Sequence, residues 1–242
     1  MSDSQWIVGF HAVLAGLSST RPAEQLWLQD GRRDGRLGRL EAAARDRGLP
    51  IRRVPKRRLD EVAAGQPHNG CALRSAPVAL RSIEDLVRPP GEAARLVLLD
   101  SIDDPHNLGA VIRSAAAFGI DGVIVAGPSA PPLGGAAAKA AAGHLERVPV
   151  VRANVAADVL RTLRDLGYWV LGAAMDGSPC PGIDPTDRWV LCLGSEQKGL
   201  RAKTKSAVDE FVAIPMAEGV ESLNLSVAAG VLMYELVTAR VP

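Results

Sequence analysis

The sequence predicts an α/β fold with a mostly parallel sheet in its C-terminal part. Two observations lead to this fold class. Short, continuous apolar runs, typical of strands buried on both faces, alternate with segments of helical spacing from about residue 93 onward. The chain has 242 residues, 47% hydrophobic and 23% charged, which fits one large or two small packed domains and does not fit a disordered chain.

The elements of the C-terminal part follow from this alternation. The predicted strands are 95–100, 122–126, 148–151, 168–173, 189–193 and 211–214. The predicted helices are 107–118, 136–142, 155–166 and 224–239. Because ligands of such sheets bind beyond the carboxyl ends of the strands, we expect the chemistry in the loops after Leu99, Ala126, Leu193 and Ile214.

The N-terminal part is predicted to be a smaller α/β unit. Its expected helices are 8–17 and 37–47, and its expected strands are 26–28 and 51–54. Prolines bound the segment that follows, at Pro77 and at Pro89-Pro90. The predicted organisation is therefore a first domain over 1–76, a linker over 77–92 and a second domain over 93–242.

The net charge of +1 is unevenly distributed. Between Arg32 and Arg58 eleven basic residues face three acidic ones, so this stretch carries +8 and the rest of the chain −7. Such a local excess indicates a polyanionic partner. The charge excess by itself is equally consistent with a solvated helix face that binds no polyanion.

Several classes of protein are disfavoured. No apolar run approaches the ~18 residues of a membrane helix, and Met1 to Phe10 lacks the layout of a signal peptide, so we expect a soluble intracellular protein without a membrane partner. Cys71, Cys180 and Cys192 form no CxxC pair, which predicts buried free thiols and no metal site. The Walker, GxGxxG, HExxH and GxSxG patterns are missing, which weakens nucleotide-binding, hydrolase and metalloenzyme interpretations.

Three segments carry polar residues at predicted ligand-binding edges. They are Asp104 to Arg113 at a helix start, Leu193 to Leu200 after a buried strand, and Ile214 to Met216 with Glu221 to Ala228 before the last helix. A helix start attracts anions, and a glycine after a strand allows a ligand to approach the backbone. Each segment alone is explained at least as well by capping, a tight turn or core packing.

Taken together and in this order, the three motifs resemble the SpoU/TrmH family of RNA ribose 2′-O-methyltransferases. The motifs are N-x-G-x-x-x-R at 107–113, G-S-E-x-x-G-L at 194–200, and I-P-M at 214–216 followed by S-L-N-L-S-V-A-A-G at 222–230. The resemblance covers about residues 95–240. Residues 7–13 and 68–70 resemble, more weakly, a small N-terminal substrate-binding domain, and the layout is similar to the branch that methylates guanosine in large-subunit rRNA.

The resemblance implies a fold, a cofactor and an assembly. Family members bind S-adenosylmethionine in a deep C-terminal trefoil knot and form homodimers, with the last helix and the first motif near the interface. The active site then combines residues of both subunits. The implied cofactor-binding residues are Gly194, Glu196, Gly199, Ile214, Met216 and Leu223, and the implied location is cytoplasmic.

The resemblance also assigns roles to polar side chains. Arg113 matches the catalytic arginine, and Asn107, Ser222 and Asn224 are expected to orient the hydroxyl. Because a guanidinium stays protonated, we expect Arg113 to hold a phosphate and stabilise alkoxide charge, and not to act as a base. Contacts with RNA phosphates are expected from the basic stretch, at Arg52, Arg53, Lys56, Arg57 and Arg58.

Three positions depart from the family pattern. Gln197 stands where glycine is usual and is expected to narrow the cofactor pocket, His144 stands where a small residue is common, and Asn69 where glutamine is frequent. A tRNA substrate is therefore the first alternative to rRNA. A catalytically silent RNA-binding or ribosome-assembly factor is the second, although retention of Asn107, Arg113, Glu196, Ser222 and Asn224 disfavours it.

Overall fold

A computed structural model describes residues 4–89, 91–181, 183 and 185–239. The strands are β1 (Gln5–Val8), β2 (Ala23–Gln29), β3 (Ile51–Val54), β4 (Cys71–Ser75), β5 (Ala94–Asp100), β6 (Gly122–Ala126), β7 (Val150–Ala153), β8 (Trp169–Pro179), β9 (Arg188–Gly194) and β10 (Glu210–Ala213). The α-helices are α1 (Phe10–Ser18), α2 (Gly35–Asp46), α3 (Lys56–Ala63), α4 (Pro105–Ala117), α5 (Gly135–Ala140), α6 (Ala156–Asp165), α7 (Ala202–Lys205) and α8 (Leu225–Thr238). A 3₁₀ turn covers His144–Glu146.

Contacts group the chain into two compact units. The first comprises the described residues of Met1–Ala79 together with Pro132–Arg147, and the second those of Leu80–Pro131 and Val148–Pro242. The first unit thus includes α5 and the 3₁₀ turn, where Arg21 forms an ion pair with Glu146. The boundaries 1–76, 77–92 and 93–242 inferred from composition stay a prediction.

The second unit is built on a six-stranded sheet with the order β10-β8-β9-β5-β6-β7. Every pair of neighbouring strands is parallel, which confirms the predicted fold class. The strands are apolar because both faces are covered, and Leu96 and Leu98 of the central β5 are fully buried. Leu86 also packs into this core, so close to Gly122 that a Cβ there would lie 2.5 Å from its Cδ2 and clash.

The first unit has a four-stranded sheet with the order β1-β4-β2-β3, in which β4 is antiparallel to β1 and β2, and β2 is parallel to β3. One core cluster includes Phe10, Leu26 and Leu40, and a second includes Trp27 and Leu59 of α3. Three elements here were not predicted from sequence, namely β1, α3 and β4. The predicted helix over 8–17 is wrong at its start, because Val8 ends β1, Gly9 has φ +92° and α1 begins at Phe10.

None of the described helices is long and apolar enough to span a membrane.

Candidate active site

Two neighbouring cavities lie at the carboxyl edge of the parallel sheet. One, here called the apolar cleft, has a volume of about 150 Å³ and is walled by Leu193, Ile214, Leu223 and other apolar residues. The other, here called the polar cavity, has a volume of about 360 Å³ and is lined mainly by polar and charged residues. They share Ser195, Glu196, Gly199 and Leu225 along their walls. All four loops expected to carry the chemistry contribute to these two cavities.

The apolar cleft collects the residues that the family resemblance assigned to the cofactor. Its lining includes Gly194, Glu196, Gly199, Ile214, Met216 and Leu223. These residues come from the loop after β9, the loop after β10 and the approach to α8, so the fold joins segments far apart in the chain. Their role as cofactor ligands remains a prediction.

A tight loop after β9 forms the boundary between the two cavities. The amide of Gly199 donates to the carbonyl of Ser195 at 2.8 Å, and Gly199 has φ +62°. A Cβ on Gly194 would lie 1.9 Å from the carbonyl carbon of Gly199, so only glycine fits there. The loop therefore returns on itself and presents the carboxylate of Glu196 at its tip.

Glu196 is the centre of a hydrogen-bond network. Its Oε1 accepts from Asn224 Nδ2 at 2.8 Å, from Asn107 Nδ2 at 3.1 Å and from the amide of Leu225 at 3.1 Å. Asn224 Nδ2 also donates to Asn107 Oδ1 at 2.9 Å. One residue from each of the three sequence motifs thus meets in one cluster.

Two helices begin at this cluster. The side chain of Asn224 caps α8 by accepting from the amides of Ser226 and Val227 at 3.0 and 3.3 Å. Asn107 lies in the first turn of α4, which Asp104 caps through the amide of His106 at 2.8 Å. The amide of Leu225 at the N-terminus of α8 donates to the Glu196 carboxylate, so the dipole of this helix favours a negative charge at this point.

Two of the predicted catalytic residues lie away from this network. Ser222 is exposed and lines the apolar cleft. Arg113 is exposed, lines neither cavity, and forms no hydrogen bond or ion pair with the described residues. It lies about 9 Å along the helix axis from Asn107 and roughly 120° around it. The structure therefore does not bring Arg113 to the cavities of its own chain.

Gln197 lies along the polar cavity and is not among the residues of the apolar cleft. The side chain is exposed and makes no hydrogen bond with the described residues. The expectation that it narrows the cofactor pocket does not fit this position. It lies on the side of the polar cavity.

One polar cluster of the site was missed from sequence. Asp100 ends β5 and is fully buried, yet its carboxylate accepts from Thr204 Oγ1 at 2.6 Å and contacts the guanidinium of Arg201, which lines the polar cavity. The sequence did contain one indication of this cluster, because Asp100 is the polar end of the apolar run that begins at Arg95. A buried carboxylate requires partners, and these partners lie about a hundred residues away in the chain.

The predicted RNA-binding residues all lie exposed on β3 and in the first turn of α3. Arg53 is paired with Glu41 at 2.7 Å, Arg57 is paired with Glu61 at 3.4 Å, and Arg58 lies over the ring of Trp27. Arg52 and Lys56 have no ion pair with the described residues. A helix N-terminus disfavours cations, and although Arg57 and Arg58 form ion pairs with Glu61 one turn along α3, no such pair with a described residue accounts for Lys56 in this turn.

The cysteines take no part in the site. Burial raises the pKa of the Cys71 thiol to about 12 and raises the pKa of Cys192 further. Burial likewise raises the pKa of Cys180 above its usual range. Among the described residues there is also no group of three or more His, Cys, Asp or Glu side chains that could hold a metal ion.

Comparison with known proteins agrees with this geometry. Residues 94–234 match the SpoU rRNA Methylase family, and residues 6–80 match the family described as RNA 2′-O ribose methyltransferase substrate binding. The chain belongs to the SpoU rRNA methylase family. The family resemblance inferred from the three motifs, and from the weaker N-terminal match, is thereby confirmed.

Individual relatives extend the match to nearly the whole chain. The 23S rRNA (guanosine-2′-O-)-methyltransferase RlmB of Xylella fastidiosa is 37% identical, over 98% of this chain and 97% of its own. The AdoMet-bound rRNA methyltransferase from Sinorhizobium meliloti is 25% identical, with a TM-score of 0.82, over 99% of this chain and 88% of its own. The TrmH/SpoU tRNA modifying enzyme of A. aeolicus shares the fold over 62% of this chain and 76% of its own, with 24% identity and a TM-score of 0.54.

Proposed function

We propose that this protein transfers a methyl group from S-adenosylmethionine to the ribose 2′-hydroxyl of a guanosine in large-subunit rRNA. One observation carries the proposal: the six residues assigned to the cofactor line one cleft, which adjoins a polar cavity at Glu196. A transferase needs two binding places that meet where the group is passed. Family membership supplies the enzyme class and the cofactor.

The apolar cleft fits the chemistry of the cofactor. Aliphatic side chains of Leu193, Ile214 and Leu223 suit an adenine ring, and Glu196 supplies a carboxylate for a cationic group. Its volume of about 150 Å³ is below the roughly 300–1,000 Å³ typical of small-molecule pockets. A molecule as large as S-adenosylmethionine therefore extends beyond this cleft. Bound there, S-adenosylmethionine supplies an electrophilic methyl group.

The residues of this chain orient the reacting groups and exclude water from them. In the proposed mechanism Glu196, Asn107 and Asn224 form a rigid polar wall, because each is held by at least two hydrogen bonds. Ser222 stands at the cleft as a further hydroxyl. Alignment of this kind accelerates a displacement by fixing the attacking oxygen in line with the methyl group. Arg113 would stabilise negative charge on that oxygen.

The proposed substrate is rRNA, with tRNA as the alternative. Relatives named as 23S rRNA guanosine methyltransferases match nearly the whole chain, as do relatives named as putative tRNA/rRNA methyltransferases, whereas the structure named only as a tRNA modifying enzyme matches 62% of it. The first unit is therefore the part that favours rRNA. Its exposed Arg52, Arg53, Lys56, Arg57 and Arg58 are proposed to contact RNA phosphates and position the substrate without reading its sequence. With this substrate, we place the enzyme in the cytoplasm.

We further propose that the enzyme works as a homodimer. Large apolar side chains are exposed before and along α8, including Leu223 (37%), Val227 (50%) and Tyr234 (51%). Val227 and Tyr234 are seven residues apart, so they lie on one helix face, and α8 packs beside α4, which carries Arg113. An apolar face of this kind marks an interaction surface. A twofold axis here would bring Arg113 of one subunit towards the site of the other.

The function is tested by transfer of labelled methyl from S-adenosylmethionine to unmodified rRNA and, separately, to tRNA. The expected product is 2′-O-methylguanosine in rRNA. Label in tRNA alone would overturn the substrate assignment and keep the reaction. A protein that binds RNA but neither binds the cofactor nor transfers label, even to a pre-ribosomal particle, would favour the catalytically silent factor. Sedimentation analysis of the same sample tests the dimer.

A further inference from the structure

The guanidinium of Arg201 is held rigidly at the wall of the polar cavity. Its Nε and Nη2 contact Asp100 Oδ1 at 2.7 and 2.6 Å, and its own amide donates to Asp100 Oδ2 at 3.1 Å. Thr204 Oγ1 donates to Oδ2 at 2.6 Å, and Ser101 Oγ donates to Oδ1 at 3.3 Å. The side chain of Asp100 is 0% exposed and that of Arg201 is 41% exposed. One end of the cluster is thus buried and the other end faces solvent.

The free edge of Arg201 distinguishes it from a purely structural ion pair. Its Nη1 makes no hydrogen bond or ion pair with the described residues, and Arg201 is one of the residues that line the polar cavity. A guanidinium fixed through two of its nitrogens keeps donors on the remaining edge in a constant orientation. Such an edge is suited to an anionic oxygen, since little side-chain entropy is lost when the ligand binds.

The charge of the cavity indicates which ligand this edge serves. Asp103, Asp104 and Glu196 line the same cavity, so an anion would be repelled from most of its wall. Arg201 and Lys198 are the cations among its lining residues. An RNA strand that places a ribose near Glu196 also brings phosphates on both sides of that ribose. A phosphate that enters this acidic cavity is favoured only beside its cations, Arg201 and Lys198.

We propose that Arg201 binds a phosphate next to the target ribose, and that Asp100 and Thr204 are positioning residues that hold its guanidinium. This inference rests on the proposed function, because it takes RNA as the ligand of the polar cavity. It adds a contact within the catalytic unit to those proposed for the basic residues of the first unit. Ser101, which follows Asp100, has φ +60°, so the chain adopts an uncommon backbone conformation beside this cluster.

The test uses a double variant, because removing Arg201 alone would leave the buried Asp100 without its charged partner and would destabilise the protein. In D100N/R201Q both charges are removed: asparagine keeps the shape of aspartate, and the shorter glutamine keeps an amide donor. A matched control is D209N/R164Q, since Arg164 is 45% exposed and is paired with Asp209 at 3.0 Å in the same unit, away from the polar cavity. Both variants leave the net charge of the chain unchanged, since each removes one acidic and one basic charge.

Affinity of the full-length protein for unmodified large-subunit rRNA is measured across a series of salt concentrations. For D100N/R201Q we expect a salt dependence whose logarithmic slope is smaller by about 0.7–0.9, the contribution of one phosphate contact. The control is expected to keep the wild-type slope. The Kd for S-adenosylmethionine is expected to stay unchanged in both variants.

A second variant distinguishes the charge of Arg201 from the geometry of its guanidinium. R201K keeps the charge and loses the planar fork, so we expect the slope to be retained while the KM for RNA rises about tenfold. A wild-type slope in D100N/R201Q, or an equal loss in the control, overturns the inference and leaves the proposed function intact. If the wild-type protein transfers no methyl group to any RNA, the proposed function fails whatever the slopes.

Discussion

Asn224 combines a structural and a chemical role in one side chain. Its Oδ1 caps α8, while its Nδ2 donates to Glu196 and to Asn107. The two roles use different atoms, so a substitution can remove one and keep the other. Serine at a helix N-cap accepts from the same amides but has no second donor that reaches Glu196.

We therefore expect Asn224→Ser to keep the stability of the protein within a few tenths of a kcal/mol and to lower kcat/KM on the order of 10²-fold. Asn224→Ala should lose the same activity and also about 1 kcal/mol of stability, because the cap is gone. Thermal unfolding and methyl transfer measured side by side separate the roles. Full activity in the serine variant would show that the Nδ2 contacts do not matter for catalysis.

Gln197 gives a second prediction at the scale of one residue. Since its side chain lies along the polar cavity, Gln197→Gly should leave the Kd for S-adenosylmethionine unchanged and alter the KM for RNA. Calorimetric titration of the cofactor, with steady-state kinetics on rRNA, checks both parts. A variant that binds the cofactor more tightly would instead place Gln197 at the cofactor pocket.

At the scale of elements, two glycines of the second unit differ in the space around them. Gly230 lies within α8, and a Cβ there would be 3.6 Å from Ser114 Oγ of α4, an ordinary contact. Gly194 ends β9, and a Cβ there would collide with the backbone of Gly199 at 1.9 Å. The first glycine is therefore replaceable by alanine and the second is not.

We expect Gly230→Ala to raise the free energy of unfolding by about 0.4–1 kcal/mol, because alanine favours the helix and costs no repacking here. Gly194→Ala should disrupt the loop that carries Glu196 and abolish binding of S-adenosylmethionine. Chemical denaturation and cofactor titration measure the two effects. Destabilisation by Gly230→Ala would mean that α4 and α8 lie closer than the structure shows.

The elements also show what sequence patterns can and cannot reveal. The parallel strands were predictable because burial on both faces makes them continuous apolar runs, as in the segment from Arg95 to Asp100. Helix α3 was not, because its first turn is Lys56-Arg57-Arg58 and few of its residues are apolar, so the charge obscured the period. Strand β1 was missed because it is short and is followed directly by α1.

At the scale of the whole molecule, the candidate site could be predicted only in part. The three motifs that supply Asn107, Glu196 and Asn224 are separated by long stretches of chain. Before the structure brought these residues together, only the family resemblance predicted that they share one site. The bond between Asp100 and Arg201 has no local sequence signature, since it depends on strands that become neighbours only in the sheet. The trefoil knot implied by the resemblance likewise stays a prediction, because no local pattern encodes it.

The assembly decides where Arg113 acts. Within one chain this residue is exposed and lies away from both cavities, although the resemblance assigns it to catalysis. A dimer built on the apolar face of α8 resolves this, because the neighbouring α4 would present its arginine to the opposite subunit. The two halves of one active site then reside on different chains, and the arrangement can be tested by mixing variants.

Arg113→Ala and Glu196→Ala are each expected to be inactive alone. Arg113 is exposed and forms no hydrogen bond or ion pair with the described residues, whereas Glu196→Ala removes three hydrogen bonds at an exposed loop tip, so thermal unfolding of both variants is measured first. If Arg113 acts across the interface, mixing equal amounts with subunit exchange should restore about a quarter of wild-type activity, because half of the dimers are then mixed and each mixed dimer has one intact site. The control is wild type mixed with the double variant Arg113→Ala/Glu196→Ala, which dilutes wild-type subunits and supplies neither residue to a shared site. Absence of any recovery in exchanged dimers would place Arg113 in its own chain's site, and full activity of Arg113→Ala alone would place it outside catalysis.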